Sequence, residues 1–217
     1  NIDLREKLKE ISSLQIPKVY KSFESNDGTI KYLIQLESGS MIEMVEIPEK
    51  KRRTLCISSQ AGCALQCTFC ATGAQGFDQN LSSDEIIGQL WISNFYKNNK
   101  KTITNVVFMG MGEPLLNFEP VIEAAKIMKD QFAYGLSRKR ITISTSGIVP
   151  NIDQLSKNID VSLAISLHAA DDKLRNEIVP INKKYPIKLL IESCRNYLMS
   201  YENKRSITIE YILIKDI

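Results

Sequence analysis

The sequence lacks several features that would define its class directly. It has a single histidine, His168, so a zinc site completed by a nearby histidine is disfavoured. It has no apolar run of the ~20 residues that a membrane-spanning helix needs, and we expect no membrane association. It also has no internal repeat and no low-complexity stretch. The net charge is only +3, which allows nucleic-acid binding without indicating it.

The remaining composition is that of a globular protein. Of the 217 residues, 43% are hydrophobic and 24% are charged, enough for one sizeable core. The five cysteines are an odd number, and no signal peptide precedes them, which argues against a disulfide framework and for a reducing cytoplasm. The chain begins at Asn1 rather than Met and ends at Ile217 after an apolar run, so we expect it to be part of a longer protein.

Three of the cysteines lie on one short segment. Cys63, Cys67 and Cys70 have the spacing C-x3-C-x2-C, and we call residues 62–70 the cysteine loop. Protein iron–sulfur clusters are usually held by four thiolates, so three would leave one iron open for chemistry. A structural zinc site remains the alternative, although zinc would require a fourth ligand that the neighbouring sequence does not offer. The spacing resembles the signature of the radical S-adenosylmethionine (SAM) superfamily, which implies a [4Fe-4S] cluster that cleaves SAM to a 5′-deoxyadenosyl radical.

Hydrophobic patterns divide the chain into two regions, which we predict as 1–48 and 49–217. The first has helical periodicity over 2–12 and then strand-like runs separated by Asn26-Asp27-Gly28 and by residues 37–40, a small β-meander. The second alternates apolar, β-branched strands with helices, which predicts an α/β fold with a parallel sheet. The predicted strands are 54–58, 103–109, 140–145, 161–166 and 206–214. The predicted helices are 83–99, 118–131, 150–157, 171–178 and 187–202, the first opened by a capping box from Ser82 to Glu85.

Several polar residues follow the predicted strands, where parallel α/β folds gather their chemistry. Glu113 follows Gly112 after the second strand, and its carboxylate could pair with an ammonium group. Ser144 ends the third strand, and Ser166-Leu167-His168 ends the fourth, with side chains suited to ribose hydroxyls or a carboxylate. The alternatives are ordinary ones: a solvated glutamate in a turn, hydroxyls that cap helices, and a structural histidine.

Longer strings are similar to those of the radical SAM RNA adenine methyltransferases. They include CISSQAGC (56–63), CTFCATG (67–73), MGMGEPLLN (109–117), STSG (144–147), ISLHA (165–169) and IVPINKKYPI (178–187). The resemblance covers nearly the whole chain and implies a partial (β/α)6 radical SAM barrel preceded by the β-meander. It implies methylation of carbon 2 of adenosine in 23S rRNA and tRNA, and the strings favour this branch over the sister branch that methylates carbon 8.

The resemblance also implies roles for individual residues. The loop cysteines would bind the cluster, and the SAM-contacting set would be Phe69, Gly112, Glu113, Ser144, Ser166, Leu167 and His168. Cys56 would assist product release, and Glu43 would be the proton acceptor. The family carries the transferred methyl group on a further cysteine beyond the last barrel strand, which this chain does not reach. An electron donor such as flavodoxin or ferredoxin and a monomeric state are also implied.

Two other functional hypotheses remain open from the sequence. A radical SAM enzyme of another class, such as a glycyl-radical activase, would share the cysteine loop and Gly112-Glu113 but would have no use for Cys56 or the Ser166-Leu167-His168 string. A non-catalytic zinc module is the third reading. The basic runs 50–53 and 138–140 could meet RNA phosphates, although such runs are more typical of solvated loops.

Overall fold

The structure, a computed structural model, describes residues 2–12, 16–96, 102–201 and 205–215. Its regular elements are, in chain order, α1 (Ile2–Ile11), β1 (Lys18–Glu24), β2 (Ile30–Gln35), β3 (Met41–Pro48), β4 (Arg53–Cys56), β5 (Gln60–Gly62), α2 (Ala71–Gln75), β6 (Phe77–Asn80), α3 (Ser83–Phe95), β7 (Asn105–Phe108), α4 (Phe118–Lys129), β8 (Ile141–Thr145), α5 (Val149–Asn158), β9 (Ser162–Ser166), α6 (Asp172–Ile178), α7 (Ile187–Met199) and β10 (Thr208–Glu210). Short 3-10 helices span Pro114–Leu116, Arg138–Arg140 and Pro180–Lys183.

One eight-stranded sheet organises the fold. Its strand order is β1-β2-β3-β4-β7-β8-β9-β10, antiparallel from β1 to β4 and parallel from β4 to β10. Helices connect successive parallel strands, as the predicted alternation requires. The α/β prediction is therefore confirmed: five parallel strands of a partial (β/α)6 barrel lie within the described residues, after an antiparallel extension.

The predicted elements match the observed ones closely. Each predicted strand and helix is present, although the parallel strands are one to six residues shorter than predicted. The capping box from Ser82 to Glu85 is formed in both directions. The turn at Asn26-Asp27-Gly28 joins β1 and β2, with Gly28 at φ +81°. The predicted helix ends at 97–99 and at 202 lie outside the described residues.

The two faces of the sheet have different chemistry. The outer face, covered by helices, carries side chains that are fully buried or nearly so: Leu55, Val106, Phe108, Ile141, Ile143, Leu163 and Ile165. The opposite face, which we call the inner face, carries Cys56, Val107, Thr142, Ser144, Ser162, Ser166 and Glu210, since residues paired in register share a face. The inner face is thus polar or small, and half-exposed at most of these positions.

The antiparallel extension is continuous with the barrel sheet, because Val45 of β3 pairs with Cys56 of β4 and Pro48 pairs with Arg53. The predicted division at residue 48 therefore falls at a turn between two paired strands, and it stays a prediction. Among the described helices, none is long and apolar enough to cross a membrane.

Candidate active site at the carboxyl end of the parallel strands

A two-stranded ribbon, β5 paired with β6, holds the base of the cysteine loop. Gly62 ends β5 at φ +72°, and a Cβ there would lie 1.9 Å from the carbonyl oxygen of Gly76. The next residue, Cys63, donates its N–H to that same carbonyl at 2.8 Å. Only glycine fits this crossing, and it fixes where the first cysteine begins the loop.

The far end of the loop is held by two other contacts. Cys70 is the N-cap of α2, and its Sγ accepts the N–H of Gly73 at 3.4 Å. Thr68 donates its N–H to the carbonyl of Ile178 at the end of α6, at 3.1 Å. The loop is thereby tied both to its own helix and to the segment that follows the fourth parallel strand.

Polar groups beside the three thiols favour their ionised forms. The Gly73 N–H donates to Cys70 Sγ at 3.4 Å. The Leu65 N–H acts to lower the pKa of Cys63, and the Ser146 hydroxyl that of Cys67, against the larger rise that burial causes in both. Burial raises the pKa of Cys67 to about 11, so the free group is a neutral thiol at neutral pH. Metal coordination would deprotonate it, and donors aimed at sulfur stabilise the resulting thiolate.

Within the described residues, no three acidic, cysteine or histidine side chains converge as ligands of one metal ion would. A single-ion zinc site needs such convergence, with four ligands at ~2.0–2.3 Å from one centre. In a cubane each thiolate binds a different iron, so the sulfurs lie further apart. The three loop cysteines line one cavity, and three thiolates suit a cluster that leaves one iron without a protein ligand.

Glu113 is buried rather than solvated, with 2% of its surface exposed. One carboxylate oxygen accepts the N–H of Leu115 at 3.0 Å, and the other accepts the N–H of Ser146 at 2.8 Å. Burial raises the pKa of Glu113, and the two N–H donors oppose that rise. Gly112 precedes it at φ +94°, where a Cβ would lie 2.4 Å from Gln60, so glycine is needed to bring the carboxylate here.

Most of the predicted site residues line one cavity of about 220 Å³. Its walls are Cys63, Leu65, Cys67, Phe69, Cys70, Thr72, Met109, Gly110, Gly112, Glu113, Ser146, Ser166 and His168. This enclosed volume is smaller than the ~300–1,000 Å³ typical of ligand pockets, so a large ligand would extend beyond it. A larger groove of about 940 Å³ lies between the β2–β3 turn and the start of α3, and its lining contains none of the cysteines.

Ser144 and Ser166 meet at a carboxylate that the sequence reasoning did not select. Both hydroxyls donate to the same oxygen of Glu210, at 2.8 and 2.9 Å. Glu210 ends β10, beside Ser166 in register. The three side chains form one polar cluster on the inner face, and Ser166 connects it to the cavity.

His168 has an unusual backbone conformation, with φ +61°. Its ring stands edge-to-face against Phe69, with centroids 4.8 Å apart, and its Nδ1 accepts the N–H of Ile212 at 3.2 Å. Burial lowers the pKa of His168, so the ring is neutral and carries its proton on Nε2. The ring therefore presents a donor. Leu167 contributes backbone only: its carbonyl accepts from Arg175.

Arg175 joins the strand-end loops to one another. It is completely buried, and its guanidinium donates to the carbonyls of Ser146, Ser166 and Leu167 and to the Asn182 side chain, at 2.7–3.1 Å. These partners lie after β8, after β9 and in the 3-10 helix that follows α6. Arg175 thus sets the spacing of the elements that surround the cavity.

The two residues that the family resemblance marks as catalytic lie on the inner face, outside the cavity. Burial raises the pKa of Cys56 to about 11, and the backbone N–H of Met109, a cavity residue, opposes that rise. Glu43 lies two residues from Val45, the partner of Cys56, so both side chains share one face. Glu43 is half-exposed and forms an ion pair with Lys31 at 3.0 Å.

Sequence reasoning missed Glu210 and Arg175. The strand-end rule that selected Ser144 and His168 did not select Glu210, because the predicted strand 206–214 put it in mid-strand, whereas β10 ends at this residue. Nothing in the sequence marked Arg175, because a charged residue in a short polar helix is usually exposed to solvent. Its burial depends on carbonyls brought together only by the fold.

Fold and site together define a class: an α/β barrel protein with a three-cysteine loop directly after its first parallel strand. Comparisons with known proteins agree. The model of the Radical SAM superfamily matches residues 57–216. The chain belongs to the radical SAM superfamily, whose members use a [4Fe-4S] cluster and SAM.

Individual relatives are more specific. The chain is 56% identical, over 99% of its length, to the dual-specificity RNA methyltransferase RlmN of Pseudomonas fluorescens (strain SBW25), and 55% identical to that of Pseudomonas putida (strain W619). It spans 57% and 58% of those proteins. A crystal structure of a radical SAM methyltransferase from Sphaerobacter thermophilus matches 100% of this chain and 64% of that one, with a TM-score of 0.91 and 38% identity.

Proposed function

We propose that this chain is the catalytic core of a radical SAM enzyme that methylates carbon 2 of adenosine in 23S rRNA and tRNA. The observation that carries the proposal is the 56% identity, over 99% of this chain, to a relative named as a dual-specificity RNA methyltransferase. The cavity supports it, because the three loop cysteines and Glu113 line it together.

The donor set of the cavity fits the family's cofactors. Cys63, Cys67 and Cys70 would each bind one iron, and Glu113 would receive the amino group of SAM. Each carboxylate oxygen of Glu113 accepts one N–H, and each has a second lone pair for an ammonium donor. When bound, cluster and SAM supply a carbon radical, which is what a carbon–hydrogen bond with no acidic proton requires.

The inner face would hold the target adenine, with Cys56 and Glu43 exposed to it. Cys56 is a neutral thiol at neutral pH, because its burial raises its pKa to about 11. A role in product release would use its thiolate, so its proton would have to be removed in the substrate complex. Glu43, which is paired with Lys31, would accept the proton lost from the adenine carbon.

The remaining assignments rest on the family alone. They are a methyl-carrying cysteine in a segment beyond residue 217, an electron donor such as flavodoxin or ferredoxin, a monomeric state and a cytoplasmic location. Free thiols at all five described cysteines are consistent with a reducing compartment.

The test is expression of the gene that contains this coding sequence in a bacterium that makes no 2-methyladenosine. Nucleosides from digested ribosomal and transfer RNA are then identified by mass spectrometry against authentic standards. We expect 2-methyladenosine with the unchanged gene and none with Cys56→Ala or Cys63→Ala. Formation of 8-methyladenosine would reassign the chain to the sister branch, and no methylated adenosine from a protein with an intact cluster would overturn the proposal.

A further inference from the structure

The inner face does not stop at the barrel. In one row of register partners, Cys56 of β4 lies beside Val45 of β3, Val45 beside Lys31 of β2, and Lys31 beside Phe23 of β1. Residues paired in this way project from the same side of a sheet. The face that carries Cys56 therefore runs without interruption to the edge strand β1.

Phe23 is a large aromatic side chain on this edge, and 45% of its surface is exposed. The ammonium group of Lys21 lies 4.8 Å from its ring centroid, and that of Lys31 lies 5.6 Å from it. An aromatic ring with two lysines around it is the combination that binds single-stranded nucleic acid, since the ring stacks on a base while the ammonium groups meet phosphates.

Charge on this face favours an anionic partner. On β1–β3 it carries three lysines (Lys18, Lys21 and Lys31) and a single carboxylate, that of Glu43. Of the seven basic residues in the two runs noted in the sequence, three are paired with carboxylates. Arg52 pairs with Glu49, Arg53 with Glu46, and Arg138 lies 4.0 Å from Asp160.

We propose that the Lys21–Phe23–Lys31 face of the antiparallel extension binds the single-stranded RNA that flanks the target adenosine. The inference rests on the proposed RNA methyltransferase function and adds the surface by which that substrate is held. Phe23 contacts a neighbouring base, and Lys21 contacts a phosphate.

The distances along the sheet suit a flanking nucleotide rather than the target itself. Three strand spacings of about 4.8 Å separate Phe23 from Cys56, roughly 14 Å in all. At about 3.4 Å per stacked nucleotide, a base on Phe23 lies within about four nucleotides of one at Cys56. Lys31 also holds Glu43, so RNA on this face reaches the pair that contains the proposed proton acceptor.

The experiment measures RNA binding by fluorescence anisotropy, with the chain reconstituted anaerobically with iron and sulfide. The probe is a labelled RNA hairpin whose loop holds an adenosine between unpaired nucleotides, compared at several salt concentrations. We expect Phe23→Ala to weaken binding about fivefold or more, the low end for loss of base–aromatic stacking. Lys21→Gln should reduce the slope of log Kd against log salt by about 0.7, the value for one phosphate of a single strand.

Matched controls separate this surface from general effects. Phe132→Ala removes another exposed aromatic ring, and Lys188→Gln removes another exposed lysine; both should bind the hairpin as the unchanged chain does. Reductive cleavage of SAM without RNA should be the same in all four variants, which shows that the cluster site is intact.

The outcomes distinguish this inference from the proposed function. Unchanged RNA binding by Phe23→Ala and Lys21→Gln would overturn the surface and leave the methyltransferase proposal standing. If the unchanged chain cleaves SAM but binds no hairpin, both RNA assignments fail. A photoreactive benzoylphenylalanine at position 23 gives a second measurement that does not depend on affinity: an RNA adduct supports the surface, and an adduct with protein contradicts it.

Discussion

Replacing Arg175 should destabilise the protein more than almost any other single substitution. Its guanidinium is fully buried and donates four hydrogen bonds, three of them to backbone carbonyls. We consider Arg175→Met, which keeps much of the side-chain length and removes every donor. The carbonyls of Ser146, Ser166 and Leu167 and the amide oxygen of Asn182 would each lose a charged donor.

The magnitude follows from two opposing effects. A buried acceptor left without a partner costs about 1–3 kcal/mol, so four would cost roughly 4–12 kcal/mol. Removing the guanidinium also removes its own desolvation, a relief of several kcal/mol. We expect a net loss of about 4 kcal/mol, near the upper limit for single substitutions.

The assay is urea unfolding of the chain without added metal or SAM. With a slope of roughly 2 kcal/mol per molar urea, a loss of about 4 kcal/mol lowers the midpoint by roughly 2 M. Arg175→Lys keeps the charge, but one ammonium group cannot reach four acceptors. Its urea midpoint should therefore lie between those of the unchanged chain and Arg175→Met.

Arg195→Met is the control, because Arg195 lies exposed on α7, and its effect should stay within about 0.5 kcal/mol. If Arg175→Met unfolded at the same urea concentration as the unchanged chain, Arg175 could not be the residue that ties the strand-end loops together.

Three further outcomes follow from the site. Serine in place of Cys63, Cys67 or Cys70 should abolish the brown colour and the acid-labile sulfide of the protein reconstituted with iron and sulfide. Cys194→Ser, on α7, should leave both unchanged. Tight binding of one zinc ion without sulfide would refute the cluster assignment. Glu113→Gln should weaken SAM binding about tenfold or more in calorimetry, at unchanged iron content, because one charge-assisted hydrogen bond is lost; equal affinity would remove Glu113 from the SAM site. The N–H of Ile187 and the Asn182 amide lower the pKa of Asp172, so its stabilisation is present above the unfolded pKa of about 3.9 and is lost as the pH falls through the lower folded value. Asp172→Asn should therefore unfold at lower urea than the unchanged chain at neutral pH, and the two midpoints should converge in acid.

Much of the fold could be predicted because its signals are local. Parallel strands and amphipathic helices alternate along the sequence, and turn residues such as Asp27-Gly28 mark the hairpin of the extension. The β5–β6 ribbon and α2 were not predicted. They are three to five residues long, and their geometry depends on a crossing of Gly62 and Gly76 that no local pattern encodes.

Site residues could be predicted where a chemically suitable side chain follows a predicted strand. They could not be predicted where the fold brings residues from distant segments into contact. The loop cysteines and Glu113 were found in this way, and they do line one cavity. Arg175 was not found, since its partners are carbonyls from three separate segments. The same holds for Lys31 beside Phe23, because strand pairing alone brings them together.

The strand sequences also contain an alternation of apolar and polar residues that the prediction of buried parallel strands did not include. Apolar, β-branched strands were expected, as in a parallel sheet buried on both faces. In β8 the sequence instead alternates, with Ile141 and Ile143 buried under helices and Thr142 and Ser144 on the inner face. A barrel strand with one polar face indicates an interior that holds a ligand rather than packed side chains. The alternation continues into β3, where Ile42 and Met44 are buried and Glu43 is not. The face that carries Cys56 therefore continues from the candidate active site into the extension, where Met41 and Val45 add apolar side chains to it and where we propose that RNA binds.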